Sequence, residues 1–232
     1  MSNLYIVATP IGNLQDISLR AVDTLGFVDF ILCEDTRTTA ILLRSVAKKF
    51  PDFKNQAKLV SYYEENEQKR IPEIIDLLKK DFNFALVSDA GTPTISDPGF
   101  KLVRECIREN IKIETIPGPS SVITALVSSG LPTDKFTFIG FLPKKPGHRE
   151  VLLKNIKLSA EIIKQTVVFF ESPFRLIQTL LELKEIFGDI DIVTSRELTK
   201  IYEEIRREKI SDAVSHFSRT KPKGEFVVLF HL

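Results

Sequence analysis

A short apolar run, a turn cluster, and then apolar residues at helical spacing: this alternation recurs along the sequence and restricts it to an α/β fold. Residues 4–8 (LYIVA) form the first run, ended by Thr9-Pro10-Ile11-Gly12-Asn13, and Ser18 opens a helical pattern through Leu19, Val22 and Leu25. Residues 30–33 give a second strand, after which Thr36 is the expected cap of a helix carrying Ile41, Leu42, Leu43 and Val46. Strands at 59–62, 84–87 and 111–116, with helices around Ile71–Leu78 and over 101–108, complete a first half that reads as a mainly parallel sheet. The second half continues with helices at 121–127, 149–163, 174–187 and 211–217 and strands at 136–141, 166–170, 190–194 and 225–230. Pro117-Gly118-Pro119 reads as a hinge; two α/β domains, 1–116 and 117–232, are the economical reading, with a single large sheet as the alternative that the pattern also allows.

Composition removes several classes of function. The 232 residues carry 32 Lys+Arg against 31 Asp+Glu, a net charge of +1, which excludes binding of nucleic acid through bulk charge. No apolar run approaches the ~20 residues of a membrane helix, and the start Met1-Ser2-Asn3-Leu4 lacks a signal-peptide pattern, so a cytoplasmic protein is expected. Cys33 and Cys106 stand apart in apolar surroundings and read as buried thiols. His148, His216 and His231 are scattered, which argues against a zinc site and a His-based triad.

Turn residues are concentrated where a ligand site is expected. Residues 88–147, about a quarter of the chain, hold six of the ten glycines and seven of the twelve prolines. Open α/β sheets bind ligands beyond the carboxyl ends of their strands, and several such loops stand there. Ser88–Gly99 (SDAGTPTISDPG) follows an apolar strand with Asp89 at its start; Glu34-Asp35-Thr36-Arg37 crowds two carboxylates and a guanidinium at a strand-to-helix junction. Pro117–Ser121 offers amides and hydroxyls at a helix start, while Glu171–Arg175 and Arg196–Lys200 are further charged strand ends. No GxGxxG and no GxxxxGK[ST] occurs, so a nucleotide-phosphate cradle and a Rossmann-type methyltransferase are both disfavoured.

The combination ATPIGNL (8–14), EDTR (34–37), SDAGTPTISDPG (88–99), IPGPSS (116–121), SGLPTDKF (129–136), GFLPKK (140–145), ESPFR (171–175), RELTK (196–200) and KGEF (223–226) closely resembles the ribosomal RNA small-subunit methyltransferase I family of the tetrapyrrole-methylase superfamily. The resemblance implies an S-adenosylmethionine-dependent enzyme that methylates the ribose 2′-oxygen of a cytidine in 16S rRNA, acting on the rRNA or the 30S subunit. It also implies a two-domain tetrapyrrole-methylase-like fold with the cofactor in the inter-domain cleft, a homodimer, and no metal. By the same resemblance Pro10, Asp89, Thr92, Pro93, Ser120, Ser121, Phe170, Leu198 and Gly224 are expected to hold the cofactor. Glu34, Asp35 and Glu171 are the candidate bases, with Arg37, Lys144, Lys145 and Arg149 on the RNA side.

Two departures stand out: Phe174 occupies a position where relatives often carry His, and the sequence ends soon after KGEF where many relatives continue into a small domain, so RNA affinity is expected to differ. A tetrapyrrole or corrinoid methylase and a catalytically silent ribosome-binding protein are the competing readings.

The neutral total hides an asymmetry. Residues 1–116 hold 15 basic and 17 acidic side chains, residues 117–232 hold 17 and 14, and the surplus concentrates at 144–157 and 206–223. Each stretch is a candidate phosphate-binding surface or a solvated helix face.

Overall fold

The computed structural model describes residues 2–232. They divide into two compact units, Met1–Ser120 and Ser121–Leu232, a division four residues beyond the expected 116/117 boundary.

The first unit is a five-stranded parallel sheet. Strands β1 (Asn3–Val7), β2 (Phe30–Cys33), β3 (Lys58–Ser61), β4 (Phe84–Leu86) and β5 (Lys112–Ile116) lie in the order β3-β2-β4-β1-β5. Crossovers α1 (Leu19–Phe27), α2 (Thr36–Lys49), α3 (Glu67–Leu78) and α4 (Phe100–Arg108) join them. One apolar cluster packs Val7, Ile31 and Ala85 on α1 and α2, and another packs Leu4, Leu32 and Leu86 on α3 and α4. Adjacent residues of one strand thus serve opposite faces, which is why these strands read as unbroken apolar runs. Cys33 and Cys106 lie fully inside, and burial pushes both thiols up, that of Cys106 to about 12.

The second unit departs from the parallel pattern. Strands β6 (Phe136–Phe141), β7 (Thr166–Glu171), β8 (Asp191–Arg196), β9 (Glu204–Lys209) and β10 (Phe226–His231) form the order β6-β7-β10-β8-β9. The neighbours β6 and β7 pair in parallel, whereas β10 inserts antiparallel between β7 and β8, and β9 pairs antiparallel with β8. Helices α5 (Ser121–Ser129), α6 (Pro146–Ala160), α7 (Leu176–Phe187) and α8 (Ile210–Arg219) accompany the sheet. The core contains Phe169, Phe217, Phe226 and Phe230.

Strand β9, Glu-Ile-Arg-Arg-Glu-Lys, is absent from the sequence reading. As an edge strand it carries charged residues and leaves no apolar run to find. The cap of α2 is Asp35 rather than Thr36, and its carboxylate accepts from the Arg37 amide at 2.8 Å. Helix α4 starts without a side-chain cap on Gly99, whose φ of 131° lies outside the range of L residues. A Cβ there would fall 2.5 Å from Leu86 Cδ2. We expect Gly99→Ala to lower stability by about 2 kcal/mol through forced backbone strain and core overlap, measured by denaturant unfolding; an unchanged midpoint would refute this.

Candidate active site

Loops after β1, β4 and β5 are tied together at the carboxyl ends of their strands. Thr9 donates its amide to Gly91 O at 2.9 Å and accepts the Gly91 amide at 3.1 Å. The Thr9 hydroxyl donates to Ser88 O at 3.1 Å, and that of Thr92 donates to Pro119 O at 3.0 Å. Within Ser88–Gly99, Gly91, Thr94, Ser96 and Gly99 all have positive φ, a concentration of strain held by these cross-loop bonds. Pro10 and Ser120 are half-buried and Pro93 is buried on this platform.

Asp89 and the EDTR loop meet beside it. Asp89 is exposed, yet its Oδ1 accepts the Asp35 amide at 3.3 Å, and partial desolvation raises its pKa. Glu34 differs from every other candidate carboxylate. It is half-buried, and desolvation, then the charges of Asp97 and Asp89, push its pKa up to about 7. A carboxylate poised near neutral pH, in a site where ligands bind, has the property expected of a proton acceptor.

The other two candidate bases are corrected by the geometry. Asp35 is committed to capping α2 and to a pairing with Arg37 at 2.7 Å, and those bonds hold its carboxyl down at about 2. Glu171 is fully buried at the end of β7: Oε1 accepts the Ser172 amide at 2.7 Å and pairs with Arg175 at 2.7 Å, while Oε2 accepts the Thr179 hydroxyl at 2.7 Å. Both oxygens serve the β7–α7 connection.

Part of the basic surplus of the second unit is spent inside it, while Arg219, Lys221 and Lys223 are exposed. Arg149 is only 4% exposed; it pairs with Glu182 through two nitrogens and donates to Pro143 O at 3.1 Å. It anchors α6 on α7 and is no RNA contact. Lys154 pairs with Glu150, Lys157 caps the end of α7 at Ile186 O, and Arg206 pairs with Glu208. Arg207 donates to the Ser128 and Ser129 carbonyls that end α5. Lys144 and Lys145 are exposed just before α6, and Arg37, although paired, is exposed on α2.

Four expected cofactor residues belong to this unit, and three sit at one edge of its sheet. Phe226 pairs with both Glu171 and Arg196, which places Phe170 on β7, Leu198 after β8 and Gly224 before β10 at that edge. Gly224 has a φ of 78°, and a Cβ there would lie 2.5 Å from Glu197 Oε1, so the loops after β8 and before β10 require a glycine. Ser121 is the first residue of α5. Phe174 is 89% exposed.

The structure also reveals a pocket that the sequence reading missed. It measures about 410 Å³ and lies beyond β2, β3 and β4, lined by Glu34, Tyr63, Glu64, Glu65, Asp97 and Phe100, among others. Glu67, buried at its base, pairs with Lys101 at 2.5 Å and accepts from the Tyr62 hydroxyl at 3.3 Å. The run Glu64-Glu65-Asn66-Glu67 directly after an apolar strand was the available signal.

Comparison with known proteins locates the chain. A model of the family described as Tetrapyrrole (Corrin/Porphyrin) Methylases matches residues 3–214. The sequence is 49% identical to the ribosomal RNA small subunit methyltransferase I of Thermotoga maritima, across 99% of this chain and 98% of that protein. The chain belongs to the ribosomal RNA small subunit methyltransferase I family, within the tetrapyrrole methylases. The Rickettsia prowazekii member is 47% identical over 98% of this chain and 78% of its own length. Among solved structures, diphthine synthase aligns with a TM-score of 0.68 at 14% identity, covering 98% of this chain and 89% of that one. Uroporphyrin-III C-methyltransferase from Thermus thermophilus, solved with S-adenyl homocysteine, aligns with a TM-score of 0.66 at 15% identity over 98% and 97%. These likenesses establish the two-sheet tetrapyrrole-methylase fold.

Two stability predictions follow from the carboxylates. Removing Glu171 by Glu171→Ala strands Arg175 and the Thr179 hydroxyl and should cost about 3 kcal/mol in denaturant unfolding; a loss below a few tenths would contradict its structural role. Glu34 has the reverse signature: folding favours its protonated form, so its contribution is lost as pH rises from about 4.5 and the loss is complete a little above 7. Glu34→Gln should therefore match wild type near pH 4 and exceed it at pH 8, by roughly 2–4 °C in Tm. An equal Tm difference at both pH values would refute this.

Proposed function

We propose that this protein is an S-adenosylmethionine-dependent methyltransferase acting on the RNA of the small ribosomal subunit, at the ribose 2′-oxygen of a cytidine, with Glu34 as the general base. The near-full-length identity to family members named for small-subunit rRNA supports the substrate class. The half-buried Glu34, poised at about 7, carries the assignment of an oxygen nucleophile: a ribose hydroxyl is a poor nucleophile and gains from a nearby acceptor for its proton.

The residues of the first unit suit the cofactor. Asp89 offers carboxylate oxygens to hydroxyl or ammonium donors, with Pro10 and the Ser120 hydroxyl on the same tied platform. Thr92 acts there through loop shape, since its hydroxyl is given to Pro119 O. On the second unit Phe170, Leu198 and Gly224 are assigned to the cofactor by family resemblance alone. When bound, the cofactor supplies a methyl group on a sulfonium centre. The chain's part is to hold the ribose so that its 2′-oxygen faces that methyl group, and to receive the departing proton on the Glu34 carboxylate. Partial burial, helped by the charges of Asp97 and Asp89, keeps Glu34 basic enough for this at neutral pH. Lys144, Lys145 and Arg37 remain the exposed candidates for phosphate contact, and the family reading extends to a homodimer.

The competing tetrapyrrole reading fits this unit less well. Tetrapyrrole precursors are rich in carboxylates, and the pocket that Glu34 lines is itself rich in carboxylates.

The experiment is incubation with labelled S-adenosylmethionine and either 30S subunits, free 16S rRNA or a corrinoid precursor, followed by mapping of the label. Incorporation at a cytidine 2′-oxygen is expected; label in the corrinoid alone would overturn the reading. Wild-type rate should climb about ten-fold per pH unit below 7 and level off above it. Glu34→Gln should lose about a hundred-fold or more in turnover, lose that inflection, and still bind cofactor. Asp89→Ala should lose cofactor binding in calorimetry, and retained tight binding would remove it from the site.

A further inference from the structure

Whatever nucleotide brings its 2′-oxygen to Glu34 must place its base a few ångströms away, so the remaining walls of the cavity that Glu34 lines are walls around the target base. At about 410 Å³ the cavity is within the range of small-ligand sites. Two of its lining rings are unusually open to solvent: Tyr63 is 41% exposed and Phe100 57%. Exposed aromatic faces beside a reactive group are how single-stranded or flipped-out bases are held, by stacking that does not depend on base identity. Over the Phe100 ring lie two cations, Lys101 Nζ at 5.9 Å and Arg104 Cζ at 5.8 Å from its centroid, so a base stacks only on ring face that they leave uncovered. Lys101 is committed to Glu67, so the exposed Arg104 is the one of the two that can meet an approaching backbone phosphate.

Base identity falls to the other walls, which are mostly acidic: Glu64, Glu65 and Asp97 bring carboxylates, while Lys101 is engaged by Glu67 and Ser96 adds one hydroxyl. An ionised carboxylate only accepts hydrogen bonds. It therefore favours a base edge that donates, such as the exocyclic amine of cytosine, and repels the O4 acceptor that uracil presents at the same position.

We propose that this pocket is the target-base site, in which Tyr63 and Phe100 stack on the base and the Glu64, Glu65 and Asp97 carboxylates select one bearing an exocyclic amine. The assignment rests on the RNA reading above. The loop that carries Tyr63 and Glu64 is held in place by Asn66, whose Oδ1 accepts the Tyr63 amide at 2.9 Å and whose Nδ2 donates to Ser61 O at 3.1 Å. The Glu67–Lys101 pair fastens that loop to α4, so the two rings belong to one rigid rim.

The test separates base recognition from methyl transfer. Binding of the whole protein to a short single-stranded RNA with one central cytidine is compared with its uridine counterpart and with a counterpart whose central pyrimidine lacks the 4-amino group. The expected result is about ten-fold tighter binding of the cytidine RNA than of either other. The variant Glu64→Gln/Glu65→Gln/Asp97→Asn, whose amides both donate and accept, should bind cytidine and uridine RNAs about equally. Tyr63→Ala should weaken all three RNAs alike, by about ten-fold. These are surface or loop substitutions, and circular dichroism confirms that each variant is folded. Equal binding of the three RNAs by wild type, or an unchanged cytidine preference in the triple amide variant, overturns the proposal. Failure of the methyl-transfer reading shows instead as absence of label from rRNA in the incubation described above, a measurement that base binding does not enter.

Discussion

The paired hydrogen bonds between Thr9 and Gly91 are the contact on which the first unit's site depends. They join the loop after β1 to the loop after β4, and the Thr92–Pro119 bond extends the tie to the loop after β5. A parallel sheet delivers its strands to one edge but leaves the loops beyond them free to diverge. Here the loops are bonded to one another, so the positive-φ residues of Ser88–Gly99 are held in conformations that a free loop would relax. Asp89 leaves this platform and accepts the Asp35 amide, which fixes the EDTR loop relative to it. The environment of Glu34, and hence its proton affinity, follows from that chain of contacts.

Three carboxylates that look equivalent as letters become three different chemical groups once folded. Asp35 meets a helix start and a guanidinium, and is held ionised. Glu171 is saturated by an amide, a hydroxyl and an arginine, and serves as a structural joint. Glu34 is partly desolvated and faces two other acids, Asp97 and Asp89, the combination that raises a carboxylate towards neutrality. Burial and neighbours, not residue type, assign the roles.

How much of this was legible in sequence depends on how local each determinant is. The alternation of strand and helix in the first unit is a local pattern, and its strands stand close to where the apolar runs place them. The direction of β10 depends on which strands it meets across the sheet, and the chain order does not encode that. Edge strand β9 is charged and hides among helical and loop sequence. The same division holds at the site. The motif loops announce themselves by glycine and proline, whereas the burial of Glu171 and Arg149 is set by Thr179 and Glu182 on α7, partners eight and 33 positions away. Tyr63 and Phe100 become neighbours of Glu34 only through the β3-β2-β4 order.

Charge counting shows the same limit from the other side. The surplus of basic residues at 144–157 and 206–223 looks like a phosphate surface, yet Arg149, Lys154, Lys157, Arg206 and Arg207 are each bonded to an acid or a carbonyl of their own unit. A paired cation still contributes field at a distance, but most of its direct bonding capacity is taken, and exposed pairs of this kind are worth little in stability. Other exposed cations of these stretches lie outside those pairs, among them Lys144, Lys145, Arg219, Lys221 and Lys223, so the pairing reduces the phosphate-binding surface without abolishing it. The pocket that Glu34 lines is the reverse case: its wall is mostly acidic and its Lys101 is paired with the buried Glu67, so its field disfavours a bare phosphate more than a neutral group.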